Sequence, residues 1–142
     1  MDELIDVTAD VVEFNKIVRV LLRRLESKAT SESDSALVDN LKRKFRFICS
    51  SDEDETLIAQ AAPIFVQFSD EINAGDDKFF LQSNPQVFIS NTPYSVDKIA
   101  AELTNCIKKH YRAGTQAEKT KMIETVQDML RLCARFLLAT TN

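Results

Sequence analysis

Val11, Phe14, Val18, Leu21 and Leu25 recur at spacings of three and four residues, with Leu22 beside them. Glu13, Asn15, Lys16, Arg19, Arg23 and Arg24 fill the positions between. On a 3.6-residue turn this gathers the apolar side chains on one face and predicts an amphipathic helix from about Thr8 to about Lys28. A polar link follows over residues 30–35, in which Ser31, Ser33 or Asp34 can cap the next helix. That helix carries Val38, Leu41, Phe45 and Ile48, with Leu37, and runs to about Cys49. Four acids, Asp52 to Glu55, then stand where a helix N-terminus carries partial positive charge. The third stripe is Leu57, Ile58, Ala61, Phe65, Phe68 and Ile72. Pro63 falls inside it and predicts a kink near Ala59–Ala62, or a break into two helices, because proline lacks a donor and crowds the preceding turn. Gly75 is placed to close the segment in the left-handed conformation.

Residues 76–94 break the pattern. Asp76 can cap a short helix over Lys78-Phe79-Phe80-Leu81, after which Pro85 and Pro93 bracket Val87-Phe88-Ile89. A connector this apolar must pack across the bundle; a short extended piece at Val87–Ile89 fits but has no second strand to pair with. Ser95 opens a fourth helix through Val96, Ile99, Ala100, Leu103, Cys106 and Ile107, ending near Tyr111-Arg112 before Gly114. Thr115 and Glu118 match a capping box. They open the longest helix, whose stripe of Met122, Val126, Met129, Cys133 and Phe136, flanked by Ile123, Leu130 and Leu137, is wide enough for a central element. The expected fold is all-α: one domain over 1–142, a compact bundle of five main helices with a short helix and irregular apolar connector around 76–94.

Composition narrows the function more than it names it. Two Gly and three Pro in 142 residues leave no material for the tight turns of sandwiches and barrels or for a glycine-rich phosphate loop. The three cysteines, Cys49, Cys106 and Cys133, lie in apolar runs at wide spacing, which fits buried, reduced thiols and an intracellular setting rather than a disulfide framework. The acidic start, Met1-Asp2-Glu3, lacks the basic character of targeting segments, and no apolar run approaches the ~20 residues of a membrane span. Net charge is −4 but uneven. Residues 1–50 balance nine basic against nine acidic side chains, 51–97 hold nine acids and only Lys78, and 98–142 hold eight bases and four acids. Such asymmetry concerns partners rather than fold.

Catalytic constellations are thin. His110 is the only imidazole, with no cysteine or second histidine at zinc-ligand spacing. Cys106, four residues earlier, shares a helix face with it but also lies on the core stripe, where a thiol is inert. The acids of 70–77 lack the spacing of a calcium loop. No catalytic residue, cofactor, metal or small-molecule substrate is therefore expected, and the chain reads as a non-enzyme. Two features point to macromolecular partners. Phe79, Phe80, Val87, Phe88 and Ile89 either close the core or form an apolar patch for another protein, or for a second copy. Lys42, Arg43, Lys44 and Arg46, with Arg23 and Arg24, are the candidates for a basic face that meets an acidic protein or, as the alternative, nucleic-acid phosphates.

The runs Pro63-Ile64-Phe65-Val66-Gln67-Phe68-Ser69-Asp70-Glu71-Ile72, Gly75-Asp76-Asp77-Lys78-Phe79-Phe80-Leu81 and Val126-Gln127-Asp128-Met129-Leu130-Arg131-Leu132-Cys133 resemble small all-helical proteins encoded by large double-stranded DNA viruses of algae and protists. The resemblance covers about half of the chain and brings no catalytic motif. It implies a binding or structural role, as a minor virion component or a host-interacting protein, in a host cytoplasm or nucleus or in the virion.

Overall fold

The computed structural model describes residues 7–81 and 96–140, and the side chains of all these except 96–98. They form seven helices and no strand: α1 (Thr8–Lys28), α2 (Glu32–Ile48), α3 (Thr56–Gln67), α4 (Ser69–Asn73), α5 (Lys78–Leu81), α6 (Val96–Ala113) and α7 (Gln116–Thr140). The all-α fold expected from the apolar spacing is the fold observed. Val87, Phe88 and Ile89, with the extended piece expected there, lie outside the described residues.

Three of the helix starts have a clear chemical cause. Ser31 Oγ accepts the Asp34 N–H at 3.0 Å and caps α2. Asp54 accepts the Thr56 N–H at 3.0 Å and also its hydroxyl, and its other oxygen takes the Ser50 N–H at 3.1 Å, which sets the start of α3. These hydrogen bonds hold the Asp54 carboxyl down at about 2, the Thr56 hydroxyl contributing most. Thr115 and Glu118 form the reciprocal pair of a capping box, Thr115 N–H to Glu118 Oε1 at 3.1 Å and Glu118 N–H to Thr115 Oγ1 at 3.2 Å. Gly75, at φ 71°, follows α4 in the left-handed region that an L side chain adopts only with strain.

The segment containing Pro63 divides into two helices, one of the two outcomes expected, but not beside the proline. α3 runs unbroken through it, and the interruption falls at Phe68, whose φ −107°, ψ 24° leaves the helical basin while its N–H turns to the Phe65 carbonyl. Ala59, whose carbonyl loses its partner to the proline ring, is solvent-exposed, as is Pro63. The defect therefore lies on the wet side of the helix, where water can satisfy the carbonyl.

α3 is the most apolar rod, burying Leu57, Ile58, Ala61, Ala62, Ile64 and Phe65 against α1, α2, α6 and α7. α7 packs on α1, α3, α4 and α6, the central position that its wide stripe predicts. One continuous core joins them. Asn15, buried on α1, donates from Nδ2 to the carbonyls of both Asp52 and Asp54 at 2.9 Å and pins the α2–α3 loop to the bundle. Phe79 and Phe80 carry α5 into the core. Phe80 stacks on Tyr111 of α6 at 3.9 Å, and the Lys108 ammonium stands 4.6 Å above the Phe79 ring.

Candidate functional site

Because Val11, Phe14, Val18, Leu21 and Leu25 turn inward, the opposite side of α1 presents Lys16, Val20 and Arg23 to solvent. Val20, a β-branched apolar residue, is 48 % exposed and forms a ridge. An open groove of about 210 Å³ lies on each side of it. Toward α7, Ile17, Val20 and Leu21 form the wall, with Glu13, Lys16 and Arg24 at its edge. Toward α2, Leu22 and Phe45 form the floor, and Arg19, Arg23, Lys42 and Arg46 stand around it. Long basic side chains can lay their stems along an apolar floor and keep their charges in water, which suits them to this position.

The cations are unequally engaged. Arg19 pairs with Asp52 at 2.5 Å and Lys42 with Glu26 at 2.7 Å. The Glu26 carboxyl is held below its ordinary range, first by the hydrogen bond from Lys42 and then by its charge. Lys16, Arg23, Arg24 and Arg46 enter no ion pair among the described residues. Arg46 donates to the Lys42 carbonyl of its own helix at 3.5 Å, and its charge also acts on Glu26. Arg19 also keeps a buried Nε–H without an acceptor. The surface therefore offers cations outside any ion pair around apolar grooves, with Glu13 and Glu26 among them.

The sequence expectation for a basic face is corrected in part. Arg23, Lys42 and Arg46 share the groove facing α2, and Arg24 lines the one facing α7. Arg43 is exposed but lines neither. Lys44 does not belong to the face: two residues from Lys42, it points the other way, is 5 % exposed and meets Glu102 of α6 at 3.2 Å. Lys16, Arg19 and Val20 belong to the surface and were not among the candidates. Their signal was an apolar residue off the core stripe with cations at the helical distances 16, 19, 23 and 24 around it.

Of the two readings open for Phe79 and Phe80, core or partner patch, the structure meets the first: they are 1 % and 2 % exposed and are removed from the partner-binding candidates. Outside a long helix they looked available, but the one-turn α5 drives both rings between α6 and the Phe65–Phe68 end of α3. Val87, Phe88 and Ile89 fall outside the described residues.

A third concavity, about 180 Å³, sits where the C-terminal ends of α1 and α6 meet the N-terminal ends of α2 and α7. His110 lines it, and burial pushes the imidazole below its ordinary value, partly opposed by Asp34. The other charges there are consumed in clasps, Lys28 with Glu118 at 2.8 Å and Lys109 with Asp34 at 2.5 Å. Cys106 is not in its lining; the thiol is buried and pushed up to about 11, chiefly by desolvation. Cys49 is likewise raised to about 11 by burial, and Cys133 is raised further. Among the described residues no three His, Cys, Asp or Glu side chains are gathered to hold a metal ion, and no helix is long and apolar enough to cross a membrane. In comparisons with known proteins, no family model, no curated protein and no solved structure matches the chain.

Proposed function

We propose that this protein is a non-enzymatic helical module that binds another protein through the surface of α1, taking an acidic segment that carries an apolar side chain. One observation carries the reading: two open grooves with apolar walls flank the exposed Val20, and Lys16, Arg23, Arg24 and Arg46 around them enter no ion pair among the described residues. An acidic helix fits both parts at once. Its apolar side chain loses water against Leu22 and Phe45 or against Ile17 and Val20, and its carboxylates meet the rim. Opposite charge would speed the encounter and suppress wrong partners. Nucleic acid fits less well, since phosphates gain nothing from an apolar wall, and Glu13, Glu26 and Asp52 interrupt the basic field. An intracellular or virion-associated setting belongs to the same proposal, supported by the three thiols and the viral resemblance.

Fluorescence anisotropy tests it with two labelled probes, a helical peptide with leucines on one face and glutamates beside them, and a short DNA duplex. The peptide should bind in a salt-sensitive way and be lost in the Arg23→Glu/Arg46→Glu variant, with little DNA binding. Tighter binding of the duplex, abolished by the same variant, would replace this reading with the nucleic-acid one. Binding of neither probe would remove both.

A further inference from the structure

We propose that the partner segment includes one that this chain itself presents: the acidic corner formed by α4 and α5 of a second copy docks on the α1 surface of the first. The proposal rests on the protein-binding reading above and names an occupant for the same site.

The corner is the chemical complement of the grooves. Asp70 and Glu71 open α4, Asp76 and Asp77 precede α5, and Lys78 is the one cation in residues 51–97. Among the described residues none of the four acids enters an ion pair. Asp76 commits Oδ1 to the Lys78 N–H at 3.0 Å and keeps its charge. Beside them Leu81, whose N–H bonds the Asp77 carbonyl at 3.1 Å, is 57 % exposed. An exposed leucine flanked by carboxylates is what a groove of apolar walls and unpaired arginines would select.

The corner is also rigid before any contact. Phe79 and Phe80 anchor α5 in the core, and Gln127 of α7 donates to the Ile72 carbonyl at 3.2 Å to hold the end of α4. Docking would therefore order little new structure, which keeps the entropic cost of association low. The acids act at short range: Tyr111, stacked beneath, has its phenol raised first by burial and then by the charges of Asp77 and Asp76. Since groove and corner are different surfaces, the contact is heterologous, so copies join head to tail and either close a ring or extend.

Sedimentation velocity of the full chain over a concentration series, at low and physiological salt, tests the proposal. Association should grow with concentration and weaken as salt screens the charges. Arg23→Glu/Arg46→Glu and, separately, Asp70→Lys/Asp77→Lys should each weaken it by about tenfold or more, since like charges would then face each other. Mixing the two variants should restore it, because each brings the charge the other now needs. Leu81→Ser should weaken it with unchanged helix content by circular dichroism. A wild-type chain that stays monomeric at low salt overturns the proposal, as does association insensitive to both charge variants or a mixture that remains monomeric. If that monomeric chain still binds the acidic helical peptide, the self-docking inference falls and the protein-binding reading stands. If it binds nothing, both fall.

Discussion

Two apolar features of this chain have opposite fates. Phe79 and Phe80 sit in a short segment rich in polar neighbours and are sealed in the core, whereas Val20 sits in the middle of a long, regular helix and is half open to water. What decides is the direction that backbone geometry gives each side chain. The α5 turn aims both rings at α3 and α6, while the three-four stripe of α1 leaves Val20 on the outer side. Lys42 and Lys44 repeat the lesson for charge, one at a groove and one under α6. Availability is a property of register, not of local composition.

The comparison breaks most sharply at Phe80. Phe80→Ala removes a ring stacked on Tyr111 and should cost about 3–5 kcal/mol of folding stability in urea titration. A loss under 1 kcal/mol would return Phe80 to the list of surface candidates. Glu102→Gln comes next. It leaves the buried Lys44 ammonium facing a neutral amide; a fully buried charge left alone costs about 3–5 kcal/mol, and partial solvent access to Glu102 brings the expectation to about 2 kcal/mol. Asn15→Ala strands the Asp52 and Asp54 carbonyls and should cost about 1–3 kcal/mol, with faster hydrogen exchange at the start of α3.

Acid should loosen the same loop and the start of α7. Asp54 and Glu118 both have folded-state values of about 2, below those of the unfolded chain. Their stabilisation is therefore complete above the ordinary carboxylate range and is lost as pH falls through that range toward about 2. Thermal melts of Asp54→Asn should show a shallower dependence over that window than the wild type. The smallest expected effect sharpens the comparison from the other side. Arg23→Glu/Arg46→Glu should leave stability within about 0.5 kcal/mol, as exposed substitutions usually do, while abolishing capture of the acidic peptide.

Much of the fold was legible in the chain because periodicity reports burial directly. The first stripe, the Ser31 cap, the Thr115–Glu118 box and the Gly75 turn are all local signals, and each is found where its chemistry placed it. Pro63 shows the limit. A local rule predicted a kink near Ala59–Ala62 or a break into two helices; the segment does divide, but at Phe68, while α3 continues past the proline with Leu57, Ile58, Ala61, Ala62, Ile64 and Phe65 buried. The candidate site was less legible. A net charge of zero over residues 1–50 hid the basic face, because Asp10 turns to Arg135 and Asp34 to Lys109, both beyond residue 50, while Arg23 and Arg46 enter no ion pair among the described residues. Those pairings cross between helices and leave no trace in spacing.

The helix that tolerates Pro63 is also the one with the most apolar sequence. An interior proline ordinarily costs a helix about 3 kcal/mol or more, yet α3 keeps its course through it. Its buried apolar face therefore offsets the hydrogen bond that the proline forgoes. Drift at the exposed Lys16, Val20 and Arg23 of α1 should accordingly change what the surface touches and leave the scaffold standing.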